Sequence, residues 1–327
     1  MKILVQEFLK AGGRLTPLLL PSAETNGTAI FNPSVYVSGD KILCVIRHCQ
    51  YTFYHSEKKK FEHEFGPLLY LNPENDITLT TTNYLTELDP KDYSVTAHTK
   101  IDTSLLDVKP RWDFVGLEDA RLFKWSDRLY ISGVRRDTTT NGQGRMELSE
   151  IVDGKEVSRW RIPAPGANDT YCEKNWMPVL DLPYHYVKWS NPTEIVRVDP
   201  EAKTCETVAT VPAPPSGIDY RGGSQVIWLG DYYVALVHTV RLFKSEAGKK
   251  DAIYRHSILM WDTDWNLIKR VREFTFMNAD VEFACGLAYV PWADEIVMTF
   301  GYSDNAAFAL SIDAPTFMKF LDEADGE

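Results

Sequence analysis

Cysteine is scarce and unpatterned in this chain of 327 residues: Cys44, Cys49, Cys172, Cys205 and Cys285 are odd in number, and no two are spaced as CxxC. That gives a disulfide scaffold or a zinc knuckle little support and makes the reducing cytoplasm the expected home. Long apolar runs are missing too. Gln6, Glu7 and Lys10 interrupt MKILVQEFLK before a signal-peptide core develops, and nothing approaches the roughly 20 apolar residues that span a bilayer. Positive charge is in deficit, with 35 Lys+Arg against 46 Asp+Glu and a net charge of -11. Nucleic acid and anionic membrane are therefore not expected partners. No GxSxG, HExxH, P-loop or GxGxxG spacing occurs, which removes the commonest serine-hydrolase, zincin and nucleotide-fold readings. Helical periodicity is almost absent; the best candidate is 314–324, APTFMKFLDEA, with Pro315 in its first turn.

What the chain does have is aromatic residues, 9 Trp, 16 Tyr and 15 Phe. They suit strands, and they also suit a pocket that stacks on sugar rings. Five segments repeat one pattern of apolar alternation, a short polar turn and a second apolar run. They are FNPSVYVSGDKILCVIR from Phe31, EDARLFKWSDRLYISGVR from Glu118, KNWMPVLDLPYHYVKW from Lys174, SQVIWLGDYYVALVH from Ser224 and CGLAYVPWADEIVMTFG from Cys285. Each reads as a β-hairpin, its turn supplied by Gly, Asp or Ser. Dividing 327 residues by five gives about 65 per unit, enough for four short strands, a turn set and one longer loop. The expected fold is all-β, a five-bladed β-propeller formed by residues 1–327 as one domain. An N-terminal strand within Met1 to Phe8 or Leu15 to Leu20 would close the last blade. Residues 51–113, with the polar runs 56–60 and 72–76, read as outer strands and extended loops. The Pro-rich stretch at 211–215 reads as an interblade loop.

In a propeller the starts of the inner strands meet at a central channel, so residues far apart in sequence become neighbours. The hairpins bring Asn32 and Arg47 from the first unit, and Glu118, Asp119, Arg121 and the Arg135-Arg136 pair from the second. Glu173 and Lys174 come from the third, Arg221, Gln225 and His238 from the fourth, Tyr302 and Asp304 from the fifth. A cluster of cations inside an acidic protein suggests a small anionic ligand, phosphate first among them.

The strings FNPSVYVSGDKILCVIR, GLEDARLFKWSDRLYISG, EKNW, ALVH and FGYSDNAAFALSID resemble the successive motifs of glycoside hydrolase family 130. That group of five-bladed propellers includes β-mannoside phosphorylases and is related to β-1,2-mannosyltransferases. The likeness runs from about residue 30 to 313, and its most specific parts are the NP…R, EDxR and GxxD segments. The resemblance implies Asp119 as general acid, protonating the glycosidic oxygen by way of a sugar hydroxyl. It implies Arg47, Lys174, His238 and Arg136 as ligands of phosphate or of a donor's phosphate, with Arg135 competing for the last place. Asp304 would hold hydroxyls of the transferred sugar. Asn32, Glu118, Tyr302 and Trp176 complete the expected sugar-contacting set, Trp176 as a stacking wall or a platform for a nucleotide base.

Inverting cleavage by phosphate needs one acid and an anion held in line on the opposite face of the ring, so a second catalytic carboxylate is unnecessary. Hydrolysis would need a carboxylate base, for which Glu173 is the obvious volunteer. The expected activity is transfer of a glycosyl, in particular mannosyl, group between a β-linked glycan and phosphate with inversion. The alternatives are a glycosyltransferase drawing on a nucleotide sugar at the same pocket, and a propeller that binds glycan or protein without chemistry. No metal or separate cofactor is called for: Asp262-Thr263-Asp264 resembles a metal-holding DxD but sits in a turn context, and strand alternation sends Cys44 and Cys49 to opposite faces. A homo-oligomer is compatible with the exposed aromatic loops.

Overall fold

Alternating apolar residues and tight turns build an all-β propeller arrangement in the computed structural model, which describes residues 1–55, 68–166, 168, 170–213, 218, 220–244, 248 and 250–323. The polar run at 56–60 and part of the Pro-rich stretch at 211–215 lie outside the described residues. The first sheet pairs Ile30–Ser38, Lys41–Cys49, Leu79–Leu88 and Val95–Lys100 in order; the second pairs Glu118–Trp125, Arg128–Arg135, Arg145–Val152 and Lys155–Arg161. The third is Met177–Pro178, His185–Ser190, Thr193–Asp199 and Thr204–Val211. In the fourth, the long ribbon Tyr232–Lys244 and Lys250–Trp261 is flanked by Arg221–Gly222 and Ile227–Leu229 on one side and by Leu267–Arg270 and Phe274–Thr275 on the other. The fifth is Glu282–Val290, Glu295–Tyr302 and Ala306–Asp313, with Arg14–Leu18 as its outermost strand.

The core lies between sheets, and the interfaces run in a circle. Val45, Leu122 and Ile131 join the first sheet to the second; Trp125, Trp176 and Tyr186 join the second to the third. Val187, Val226 and Trp261 join the third to the fourth, and Ile258, Leu287 and Phe300 the fourth to the fifth. Val35, Ile46, Val290 and Val297 bring the fifth back against the first. Each such fully buried side chain contributes about 1.5–3 kcal/mol of transfer free energy. At the axis Gln225, fully buried, ties three sheets to its own. Its Nε2 donates to Ser34 Oγ at 2.9 Å, Val35 O at 2.9 Å and Leu122 O at 2.6 Å, and its Oε1 accepts from Leu287 N at 3.3 Å.

The two N-terminal segments behave differently. Arg14–Leu18 runs antiparallel to Ala306–Asp313, Arg14 opposite Ser311 and Leu18 opposite Ala307. Only Lys2–Ile3 of the first segment is strand, parallel to Phe274–Thr275, and Leu4–Lys10 is helical. Leu4, Val5 and Phe8, at helical spacing, bury one face, and Phe8 packs edge-on against Phe317 and Phe320 of the C-terminal helix Ala314–Glu323. Two turns of helix are too short for periodicity to mark in a sequence. The C-terminal helix starts where Asp313 Oδ1 accepts from Thr316 N at 2.9 Å. Among the described residues no helix is long and apolar enough to cross a membrane.

Candidate active site

Several residues at one end of the ring leave regular strand geometry, three of them expected site residues. Asn32, Asp119 and Asp304 have φ of 48°, 50° and 46°, the left-handed region that Asn and Asp tolerate better than other side chains. At Asn32 and Asp119 the pairing slips, between Phe31 and Ser34 and between Glu118 and Arg121. Such bulges swing a side chain away from its ladder position. The two bulges face each other: Asp119 Oδ1 accepts from Asn32 Nδ2 at 2.8 Å and from Arg47 Nη1 at 2.8 Å. Gly301 of the GxxD segment makes this possible, because a Cβ there would lie 2.1 Å from Asn32 Oδ1.

Arg47 is buried and held from several sides. Its Nε donates to Thr81 Oγ1 at 3.1 Å, its guanidinium lies 4.8 Å from the centre of the Phe31 ring, and Nη2 is 3.8 Å from Glu118 Oε2. Glu118 reaches a second arginine, Arg136, whose Nε is 3.4 Å from Oε1. The neighbouring Arg135 is excluded from this role. It points the other way along its strand, buried between Asp137 at 3.2 Å and Glu147 at 2.8 Å. Arg121 is likewise a fastener, donating to Gly223 O at 2.8 Å and to Asp119 O at 2.7 Å, so it fixes the bulge backbone.

The electrostatics separate the two aspartates. Burial pushes the Asp119 carboxyl up, but Arg47, Arg121, the Asn32 hydrogen bond and Lys174 outweigh it and hold the group at about 2. Asp119 is therefore ionised in the ligand-free protein. Asp304 is pushed up to about 7 by burial, with Asp119 and Glu118 adding to the rise and Arg47 and Lys174 opposing it. Near neutrality it is about half protonated and can donate or accept. His238, buried and followed across the ladder by His256, is held well below the usual histidine range by burial, then by His256, Lys174, Arg121 and Arg221. It is neutral, stacked on Tyr254 with centroids 5.7 Å apart and edge-on to Phe283 at 4.8 Å.

Of the sequence-predicted residues, Asn32, Arg47, Glu118, Asp119, Arg136 and Asp304 thus share one electrostatic cluster, with half-buried Lys174 and buried His238 at its edge. Tyr302 is half-buried at the end of the fifth sheet's second strand. Trp176 departs from expectation. It is 1% exposed, packed against Tyr186, and its Nε1 donates to Glu173 Oε2 at 3.0 Å. A ring closed into the core offers no open face for stacking, and Glu173, committed to Trp176, is poorly placed as a base for water. Aromatic side chains near Asp304 come instead from Tyr51 and from the ribbon that follows it, Thr52–His55 paired with Leu68–Leu71. Buried Tyr51 meets half-exposed Tyr70 edge-on at 5.1 Å, and Asp304 contributes to the upward shift of both hydroxyls after burial. Asn305 beside Asp304 pins the ribbon, its Nδ2 donating to Phe53 O at 2.6 Å and its Oδ1 accepting from Phe53 N at 3.2 Å. Tyr51 follows the Arg47-His48-Cys49 strand end by two residues, the one signal that could have marked it. Asp262 closes a local turn with Asp264 and Asn266. Among the described residues no group of three His, Cys, Asp or Glu is arranged to hold a metal ion.

This ring of sheets, with a buried arginine, two aspartates at positive φ and aromatic side chains gathered at one end, has the fold of several solved structures. The fold is that of β-1,2-mannobiose phosphorylase from Listeria innocua, with a TM-score of 0.56, 13% identity, and 90% of this chain and 92% of that one covered. A mannose phosphorylase from Leishmania mexicana, MPT-4, solved with phosphate, matches at 0.54 and 12% over 96% and 93% of the two chains. MPT-1, a GDP-Man-dependent mannosyltransferase from the same organism, matches at 0.53 and 10% over 98% and 95%. No protein-family model matches the chain, and no curated protein does.

Proposed function

We propose that the chain is one five-bladed propeller, a divergent relative of the family 130 phosphorylases, that transfers a glycosyl group, with mannosyl the foremost candidate, between a β-linked glycan and phosphate with inversion. It needs no cofactor, phosphate being the co-substrate, and we place it in the cytoplasm. The observation that carries this reading is the contact of Arg47 with Asp119. A phosphate drawn to Arg47, Arg136 and Lys174 competes with Asp119 for the guanidinium. As Arg47 turns to the anion, the main influence holding the Asp119 carboxyl down weakens and the group can take up a proton. In phosphorolysis a phosphate oxygen forms the new bond to the anomeric carbon while the glycosidic bond breaks. The departing oxygen gains a proton supplied by Asp119 through a sugar hydroxyl. In the synthetic direction Asp119, ionised, accepts that proton back. Asp304, with its carboxyl near neutrality, suits a partner of hydroxyls that alternately donate and accept.

The likeness in fold to a GDP-Man-dependent enzyme supports a second reading, in which the same cations hold the leaving phosphate of a nucleotide sugar. Incubation with mannose 1-phosphate or with nucleotide sugars, each with candidate acceptors, distinguishes them by release of phosphate or of nucleotide. We expect phosphate release, and expect Arg47→Ala to raise the KM for the phosphate co-substrate about a hundredfold. No release from any donor would instead favour a binding propeller.

A further inference from the structure

Between Lys174 and Trp176 stands Asn175, to which neither the sequence pattern nor the family resemblance gives a role. It is buried, and its φ of 63° repeats the left-handed backbone of Asn32 and Asp119. All three stand at the entry to the first strand of a sheet: Asn32 within Ile30–Ser38, Asp119 within Glu118–Trp125, and Asn175 just before Met177–Pro178. Three successive sheets are thus entered through the same kink. In two of them the kinked residue itself belongs to the axial cluster; in the third the cluster residue is its neighbour, Lys174.

Asn175 is gripped from two sheets. On the fourth, a Cβ at Gly222 would lie 2.0 Å from the Asn175 carbonyl oxygen, a close approach that glycine permits. On the second, Asn175 Oδ1 accepts from Arg121 Nη2 at 3.5 Å. The same guanidinium donates to Asp119 O at 2.7 Å and to Gly223 O at 2.8 Å, and lies 5.5 Å from the centre of the Phe283 ring. Beyond Asn175, Trp176 is locked into the core against Tyr186 and by its bond to Glu173. Lys174 is the half-buried member of this segment, and its charge acts on Asp119, Asp304 and His238 alike. Most L-residues would be destabilised by roughly 1–2 kcal/mol in the Asn175 backbone conformation. Relief of that strain by a return to extended geometry would swing the chain before it, and Lys174 with it.

We propose that Asn175 is a positioning residue: its left-handed backbone, backed by the contact with Arg121, aims Lys174 at the anion held by Arg47 and Arg136 and ties that lysine to the bulge carrying Asp119. The inference rests on the reading of the axial cluster as a phosphate site.

The test separates backbone from side chain. Asn175→Gly loses Oδ1 and keeps the left-handed backbone at no steric cost, whereas Asn175→Ala loses Oδ1 and disfavours that backbone as well. Inorganic phosphate is titrated into the full-length wild type and both variants, and crystal structures of all three are compared. We expect binding about threefold weaker in Asn175→Gly, the loss of one weak hydrogen bond, and at least about tenfold weaker in Asn175→Ala, with Lys174 Nζ displaced in the latter. Should Asn175→Ala fold poorly, Asn175→Ser takes its place in both measurements. A merely structural role would lower the melting temperature of Asn175→Ala and leave its phosphate affinity at the wild-type value, which would overturn the proposal. So would Lys174 unmoved in that variant. Wild-type protein that binds no phosphate, with Lys174 displaced in Asn175→Ala, would sink the phosphate reading and still uphold Asn175 as the residue that places Lys174.

Discussion

Two neighbouring levels of the axis use similar side chains to opposite effect. Around Gln225 each amide atom that can be matched is matched, to Ser34, Val35, Leu122 and Leu287, and the residue holds sheets together. One level away Asn32, also an amide, stands at positive φ with Oδ1 unmatched among the described residues, and Asp119 and Asp304 share its strained geometry. Asn32 and Asp119 sit only two or three residues before Ser34 and Leu122, the partners of Gln225. Where polar demand is met the residue serves the fold; where it is left unmet and the backbone is strained, the residue is a candidate for function, as the proposed reaction has it.

That contrast is broken or sharpened by substitution, the largest effect first. Asp119→Asn should lower turnover about a thousandfold while the protein remains folded, since removing a general acid costs about 10²–10⁴ in rate; steady-state kinetics beside a thermal melt decide it. Full turnover would remove Asp119 from the chemistry. Gln225→Leu should do the reverse. It leaves buried partners in three sheets unsatisfied, at a cost of ~3 kcal/mol in denaturant unfolding, with turnover per folded molecule unchanged.

Asp304→Asn probes the cost of the strained end. A carboxyl raised from its ordinary value to about 7 binds more protons folded than unfolded between about pH 4 and 7. Its contribution is favourable at low pH and is lost as pH rises through 7. The variant should therefore gain stability over the wild type at pH 8, by ~2 kcal/mol, and show no such gain at pH 4. Equal stability at both values would contradict the assignment. The smallest effect is expected from Trp176→Phe: ~1 kcal/mol lost with the Glu173 hydrogen bond, and a KM for sugar within about twofold. A tenfold rise in KM would return Trp176 to the sugar site.

The hairpins were legible because period-two alternation and Gly or Asp turns are local signals. Ser38 to Lys41 and Ser126 to Arg128 sit where the turns form, with Gly39, Ser126 and Asp127 at positive φ. The EDxR and GxxD segments stood out by their resemblance to family motifs, and the structure gives a physical reason for them: positive φ at Asp119 and Asp304 and close backbone approach at Gly301. Burial was not. Trp176 and Tyr51 are both aromatic beside charged residues, and only packing shows one as core and the other as part of the wall around Asp304. Arg135 and Arg136 differ by one strand position, which sends them to opposite faces, and sequence could not say which face was the mouth.

The pairing of Arg14 with Ser311 sets a schedule as well as a shape. These partners are about 300 residues apart, and at about 5–20 residues added per second a ribosome takes on the order of 15–60 s to deliver the second after the first. For that interval Arg14–Leu18 is an edge without a neighbour, open to the wrong strand of the same chain or another. Proline at position 17 and arginine at 14 lie on this waiting strand, residues that discourage stray pairing. Synthesis of the strand Ala306–Asp313, rather than collapse of any single earlier sheet, is the event that lets Arg14–Leu18 find its neighbour.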